Sequence, residues 1–148
     1  MEKILPRLSD PDLRIVFAGI GNVLRNDDGV GPFIAARIKT RDNWVVLIPE
    51  SGLERYISAI TREKPDLLLI LDCVEFWEPP GFWKPIPIGQ VVETSLHSHN
   101  ISLQRLSAFF DSETWVIGVQ PGDMRVGESL SGTVRRSAEE IISIINRS

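Results

Sequence analysis

The residues best suited to chemistry in this chain are three carboxylates and two histidines, set far apart. Asp27 and Asp28 close a turn-rich stretch, GIGNVLRNDDGVG, and Asp72 ends the run LLLILD. His97 and His99 are the chain's two histidines, both within LHSHN. A carboxylate at the tip of so apolar a run is costly to bury unless it pairs, accepts hydrogen bonds or binds a metal. Carboxylate oxygens with an imidazole nitrogen suit a borderline divalent cation, zinc or nickel, with coordination positions left open. Taken one at a time, each residue also has a plainer reading. Asp28 caps a helix, Asp72 accepts structural hydrogen bonds, and the histidines are solvated loop residues. Cys73 reads as a small buried apolar residue rather than a nucleophile.

The elements that must position these groups alternate between strand and helix. RIVFAG (14–19), WVVLI (44–48), LLLILDC (67–73) and WVIGV (115–119) are apolar runs of strand length. The third is continuously apolar and is expected at the centre of a sheet, covered on both faces. VGPFIAARIK and LERYISAITREK carry apolar residues at helical spacing, and Pro65 and Asp66 stop the second. SLQRLSAFF reads as a helix with Ser102 as its cap. GTVRRSAEEIISIINR places Val134, Ala138, Ile141 and Ile145 along one stripe. Pro85 and Pro87 restrict WEPPGFWKPIPIG to a loop or an edge strand, which Val91–Glu93 extends. The order predicts an α/β fold. It is a single three-layer domain over 1–148, with a twisted, mostly parallel sheet of about five strands and helices on both faces. Residues 1–12 are expected to be a loosely attached N-terminal segment. Ligands of such sheets bind outside the carboxyl ends of the strands. Asp28, Asp72 and the LHSHN stretch, each expected just past a strand end or before a helix, would meet there.

Composition narrows the classes. The chain has 148 residues, 43% hydrophobic and 24% charged, with a net charge of −4. That is ordinary for a globular domain and lacks the basic excess of a nucleic-acid binder. No apolar run approaches the ~20 residues of a membrane helix. The N-terminus breaks its apolar content with charges and prolines, unlike a signal peptide, so a cytoplasmic location is expected. One cysteine allows no internal disulfide. The glycines fail the dinucleotide fingerprint, because Leu24 stands where its third glycine belongs. A G-x-S-x-G elbow, an H-E-x-x-H helix and a P-loop lysine are all missing from the sequence.

Four segments together are more specific than their parts. GIGNVLRNDDGVGPFIAARI resembles the N-terminal signature of the hydrogenase maturation endopeptidases, G-x-G-N followed by D-D/E-G-x-G. LLILDCVEFWEPPG is similar to that family's strand ending in aspartate with a Pro-Gly loop. SHNISL resembles its T-H-N-x-x-L segment, and VIGVQP its G-I/V-Q-P strand end. The resemblance covers about residues 13–147 and looks closest to the branch serving hydrogen-evolving NiFe hydrogenases. It implies a metal-dependent peptide hydrolase that removes a C-terminal extension from the hydrogenase large-subunit precursor after nickel insertion. Asp28, Asp72 and His99 are then the nickel-sensing and catalytic residues. Asn22, Asp27 and Gln120 are substrate-binding or supporting residues, with Asp27 also a candidate general base. Nickel would arrive with the substrate, and zinc or cadmium could occupy the same site. The implied partner is the large-subunit precursor, with the chain a monomer or weak dimer. The chain departs from the family after Gln120–Pro121, where Gly122 and Asp123 stand in place of a frequent glutamate. Trp77, Phe82 and Trp83 form either a docking patch or a cover for the sheet edge. Three other readings compete: a non-catalytic nickel-sensing chaperone, a flavodoxin-like ligand-binding module, and a zinc peptidase with tightly held metal.

Overall fold

The two most apolar runs become the middle of the sheet. In the computed structural model, which describes residues 1–91 and 103–148, β1 (Ile15–Ile20) and β3 (Leu67–Cys73) are buried at every position. They are flanked by β2 (Trp44–Glu50) on one side and β5 (Glu113–Val119) on the other, and β4 (Trp83–Pro87) closes the β5 side. The order is β2-β1-β3-β5-β4. The first four strands are parallel, and β4 runs antiparallel to β5 with Trp83 opposite Val119. Pro85 and Pro87 therefore sit in an edge strand, where a missing N–H is tolerated. Val91 lies beyond that strand, and residues 92 and 93, expected to extend it, fall outside the described residues.

Side chains alternate across the sheet. Ile15, Phe17, Leu67, Leu69 and Leu71 join one core with α2 (Val30–Ala35) and α5 (Gly132–Arg147). Val16, Ala18, Leu68 and Ile70 join the other with α3 (Ile57–Glu63) and α4 (Leu103–Ser107). The stripe Val134, Ala138, Ile141 and Ile145 of α5 is fully buried, as its spacing predicts. Helices on both faces of a mostly parallel sheet are the expected α/β architecture, with one antiparallel edge.

Three local expectations need correction. The N-terminal segment is not loosely attached. Residues Leu5–Leu8 form a short helix, α1, and Ile4 and Leu8 are each 1% exposed within the α2/α5 core. Those two side chains are four residues apart and share one helical face, so their burial outweighs the charges and prolines around them. Helix α2 stops at Ala35 instead of running to Lys39. The amides of Arg37 and Ile38 bond to the carbonyls of Ile34 and Ala35 three residues back, a 3-10 tightening that delivers Ile38 into the core. The helix expected over 53–64 begins as a 3-10 turn, Leu53–Tyr56, and ends at Lys64 in a left-handed conformation just before Pro65.

Helix α2 crosses the sheet almost in backbone contact. A Cβ on Gly31 would lie 2.1 Å from the Leu71 carbonyl oxygen and 2.4 Å from that of Ile20. Those carbonyls belong to β3 and β1, the strands between which the connections change direction. Glycine at this position is thus what lets the Asn26–Gly29 turn sit over the ends of the central strands. Gly31→Ala is expected to lower the free energy of unfolding by about 1–3 kcal/mol through this overpacking. Urea denaturation measures it, and an unchanged midpoint would show that α2 can retreat without cost.

Candidate active site

Parallel strands bring their carboxyl ends to one edge, and the switch in connection lies between β1 and β3. Asp28 and Asp72 flank that switch point. Asp72 is the penultimate residue of β3, and Asp28 lies on the Asn26–Gly29 3-10 turn that follows β1. They are 4% and 2% exposed respectively, so both carboxylates are taken out of water. Gly21 makes the turn possible: its φ is +138°, and a Cβ there would lie 1.9 Å from the Asp28 carbonyl oxygen.

Both carboxylates are oriented by neighbouring donors. The Asn22 backbone N–H donates to Asp28 Oδ2 (2.9 Å), and the Cys73 N–H donates to Asp72 Oδ1 (2.8 Å). The Cys73 thiol lies 3.6 Å from Asp28 Oδ1 and 3.9 Å from Met124 Sδ. Burial pushes the Cys73 thiol well above its usual range, and the charges of Asp72 and Asp28 push it further. It therefore remains a neutral donor towards Asp28, not a thiolate nucleophile.

The supporting residues have distinct tasks. Asn22 caps its own loop, its Oδ1 accepting from the Leu24 N–H (2.9 Å), while its backbone orients Asp28. Asp27 is fully buried and has partners different from those of Asp28. Its Oδ2 accepts from the N–H groups of Gly122 (2.9 Å) and Asp123 (2.7 Å) and from Ser131 Oγ (2.8 Å). Its Oδ1 accepts from the Ser131 N–H (2.7 Å). The carboxylate is thus engaged in clamping the 122–131 loop onto the turn that carries Asp28. Gln120 is 5% exposed and braces the loop after β3. Its Oε1 accepts from the Phe76 N–H (2.7 Å), and its Nε2 donates to Glu75 Oε2 (3.0 Å). Asp123 is a turn residue. Hydrogen bonds from Arg125 hold its carboxyl far below the usual carboxylate range.

The donor set fits a divalent cation in chemistry, with two buried carboxylates at one rim. Among the described residues no group of three or more His, Cys, Asp or Glu is arranged to hold a metal. His99, the expected third donor, and His97 lie outside the described residues. A groove of about 300 Å³ opens beside the same turn, lined by Val23, Pro32, Phe33, Ile48 and Leu130 together with Glu50. Among the described residues no helix is long and apolar enough to cross a membrane. Sequence reasoning did not find Ser131, Glu75 or Met124. Ser131 and Met124 meet the site across long sequence separations and belong to no spaced motif, and Glu75, though it follows Asp72 closely, takes its role from a partner 45 residues away.

No family model matches the chain. Curated relatives do. The hydrogenase 3 maturation protease of Escherichia coli K12 is 32% identical over 108 residues, 69% of either chain. A putative hydrogenase maturation protease of Methanocaldococcus jannaschii is 26% identical over 122 residues, 73% of this chain and 72% of its own. The NiFe hydrogenase maturation protease HycI of Thermococcus kodakarensis shares the fold, with a TM-score of 0.83 at 24% identity over 98% of this chain and 99% of that one. The Escherichia coli endopeptidase HycI, solved in solution, superposes with a TM-score of 0.79 at 25% identity, covering 91% and 90%.

Asp27→Asn puts an amide N–H₂ among four donors that need an acceptor. It is expected to cost about 2–3 kcal/mol of stability, measured by urea unfolding. A cost below about 0.5 kcal/mol would mean that the loop clamp is dispensable.

Proposed function

The chain belongs to the hydrogenase maturation proteases, and from that membership we propose that this peptidase removes the C-terminal extension of a NiFe hydrogenase large-subunit precursor after nickel insertion. The observation that carries the reading is the pair of buried carboxylates, Asp28 and Asp72, flanking the switch point of the sheet. Nickel enters as part of the substrate, held by the precursor's own cysteines. Asp28 and Asp72, with His99, complete its coordination and so distinguish a loaded precursor from an empty one. Bound there, the ion supplies Lewis acidity for the scissile carbonyl or for a water.

The chain's own residues then handle position and protons. Asn22 and Cys73 fix the two carboxylates through the bonds described above, so that their oxygens meet the substrate in one arrangement. Asp27 has four donors on its two oxygens, and this argues for drawing the general base from Asp28 and Asp72 instead. Gln120 and the 122–131 loop wall the site on the β5 side. A resting protein with three protein donors keeps positions open for the precursor's ligands and water.

The test is a processing assay on a large-subunit precursor, with and without inserted nickel, followed by intact mass. The expected result is loss of a short C-terminal peptide from the loaded precursor alone, abolished in Asp72→Ala and His99→Ala. Equal cleavage of the nickel-free precursor would overturn nickel recognition and favour a resident-metal peptidase. Binding without shortening would overturn the proteolytic role of the site.

A further inference from the structure

The loop that leaves β3 just after Asp72 and Cys73 presents a tryptophan to solvent in a conformation that bulky residues avoid. Trp77 is 69% exposed and its φ is 55°, in the left-handed region. The conformation is over-determined by its surroundings. Glu75 Oε1 accepts from the Trp77 N–H (2.7 Å), and the other oxygen of the same carboxylate accepts from Gln120 Nε2. The Gln120 carbonyl oxygen accepts from the Gly81 N–H (2.9 Å), and its backbone N–H donates to the Phe82 carbonyl (2.7 Å). Pro79 and Pro80 stiffen the span between. Phe82, 38% exposed, stands edge-on to Phe76 at 5.4 Å. Trp83, by contrast, lies in β4, packs on the core and donates to Glu140 (3.1 Å). The aromatic group thus divides into one residue covering the sheet edge and two held outward.

We propose that the 75–82 loop is the docking element for the folded body of the protein substrate, with Trp77 as its anchor in an apolar pocket and a cation of the partner beside Glu78. The inference rests on the proposed reading of the substrate as a hydrogenase large-subunit precursor. Three observations carry it. Backbone strain is maintained to expose an aromatic residue, and such strain clusters at functional sites. The anchor is pre-organised, which lowers the ordering cost of binding. The loop is continuous with the catalytic rim: it begins two residues beyond Cys73, and its Pro80 lies against Gly122, whose N–H is held by Asp27. A protein whose chain reaches Asp72 extends naturally over this surface. Glu78 is exposed and makes no ion pair among the described residues, so it supplies a charge for the partner to match.

The experiment compares the full-length protein with Trp77→Ala, Trp77→Phe and Glu78→Lys on nickel-loaded precursor, reading KM, kcat and the unfolding midpoint. Trp77→Ala is expected to raise KM about tenfold or more with kcat and midpoint unchanged, and Trp77→Phe to recover most of the loss. Glu78→Lys is expected to raise KM in a way that fades as salt increases. A KM for Trp77→Ala within about twofold of the parent, or a loss confined to kcat, would overturn the docking role while leaving the proposed function in place. A parent protein that fails to cleave loaded precursor would overturn both.

Discussion

The carboxylate of Asp27 is the joint on which the carboxyl edge of this domain depends. It has no exposure to solvent and receives four hydrogen bonds, all from the segment 122–131. A buried carboxylate without such donors would be costly, and with them it becomes a rigid tie. Through that tie the turn after β1 and the loop after β5 hold one relative position. Gln120 extends the same framework to the loop after β3. Three strand-end loops, remote in sequence, therefore behave as one unit around the switch point.

That unit is what makes two buried acids useful. Asp28 sits on the clamped turn and Asp72 on the most enclosed strand, so neither can swing to follow a ligand. In the proposed function, such fixed carboxylates with open positions would recognise an ion by where the remaining ligands lie, as suits a metal delivered with a substrate. The near-contact of Gly31 with the Leu71 and Ile20 carbonyls sets how closely the turn approaches the strand ends. Fold and chemistry are coupled here through backbone distances more than through side-chain packing.

Much of this was legible in the residues. The continuous apolar run 67–73 marked the central strand, and the stripe on α5 marked a helix, because burial on one or both faces leaves an unambiguous period. The strand-end rule pointed to Asp28 and Asp72. The division of labour between Asp27 and Asp28 was not legible. On a 3-10 turn successive side chains point about 120° apart, so neighbouring aspartates face different partners, and sequence adjacency hides this. The shortening of α2 escaped for a similar reason, since its last turn tightens to seat Ile38 in the core. Ile4 and Leu8 carried the correct spacing, but the charges and prolines between and around them masked it. Val134 and Ile141 announced themselves through repetition; Ser131, a single hydroxyl with its partner 104 residues away, had no repetition to offer.

The central claim is that Asp28 and Asp72, with His99, form one cation-reading site at the switch point. Anomalous diffraction from crystals of the full chain soaked with nickel or cadmium addresses it directly. The expected result is a single strong peak ligated by one carboxylate oxygen or more from each of Asp28 and Asp72 and by the His99 imidazole. An ion held away from these carboxylates, or held with His97 in place of His99, would contradict the account.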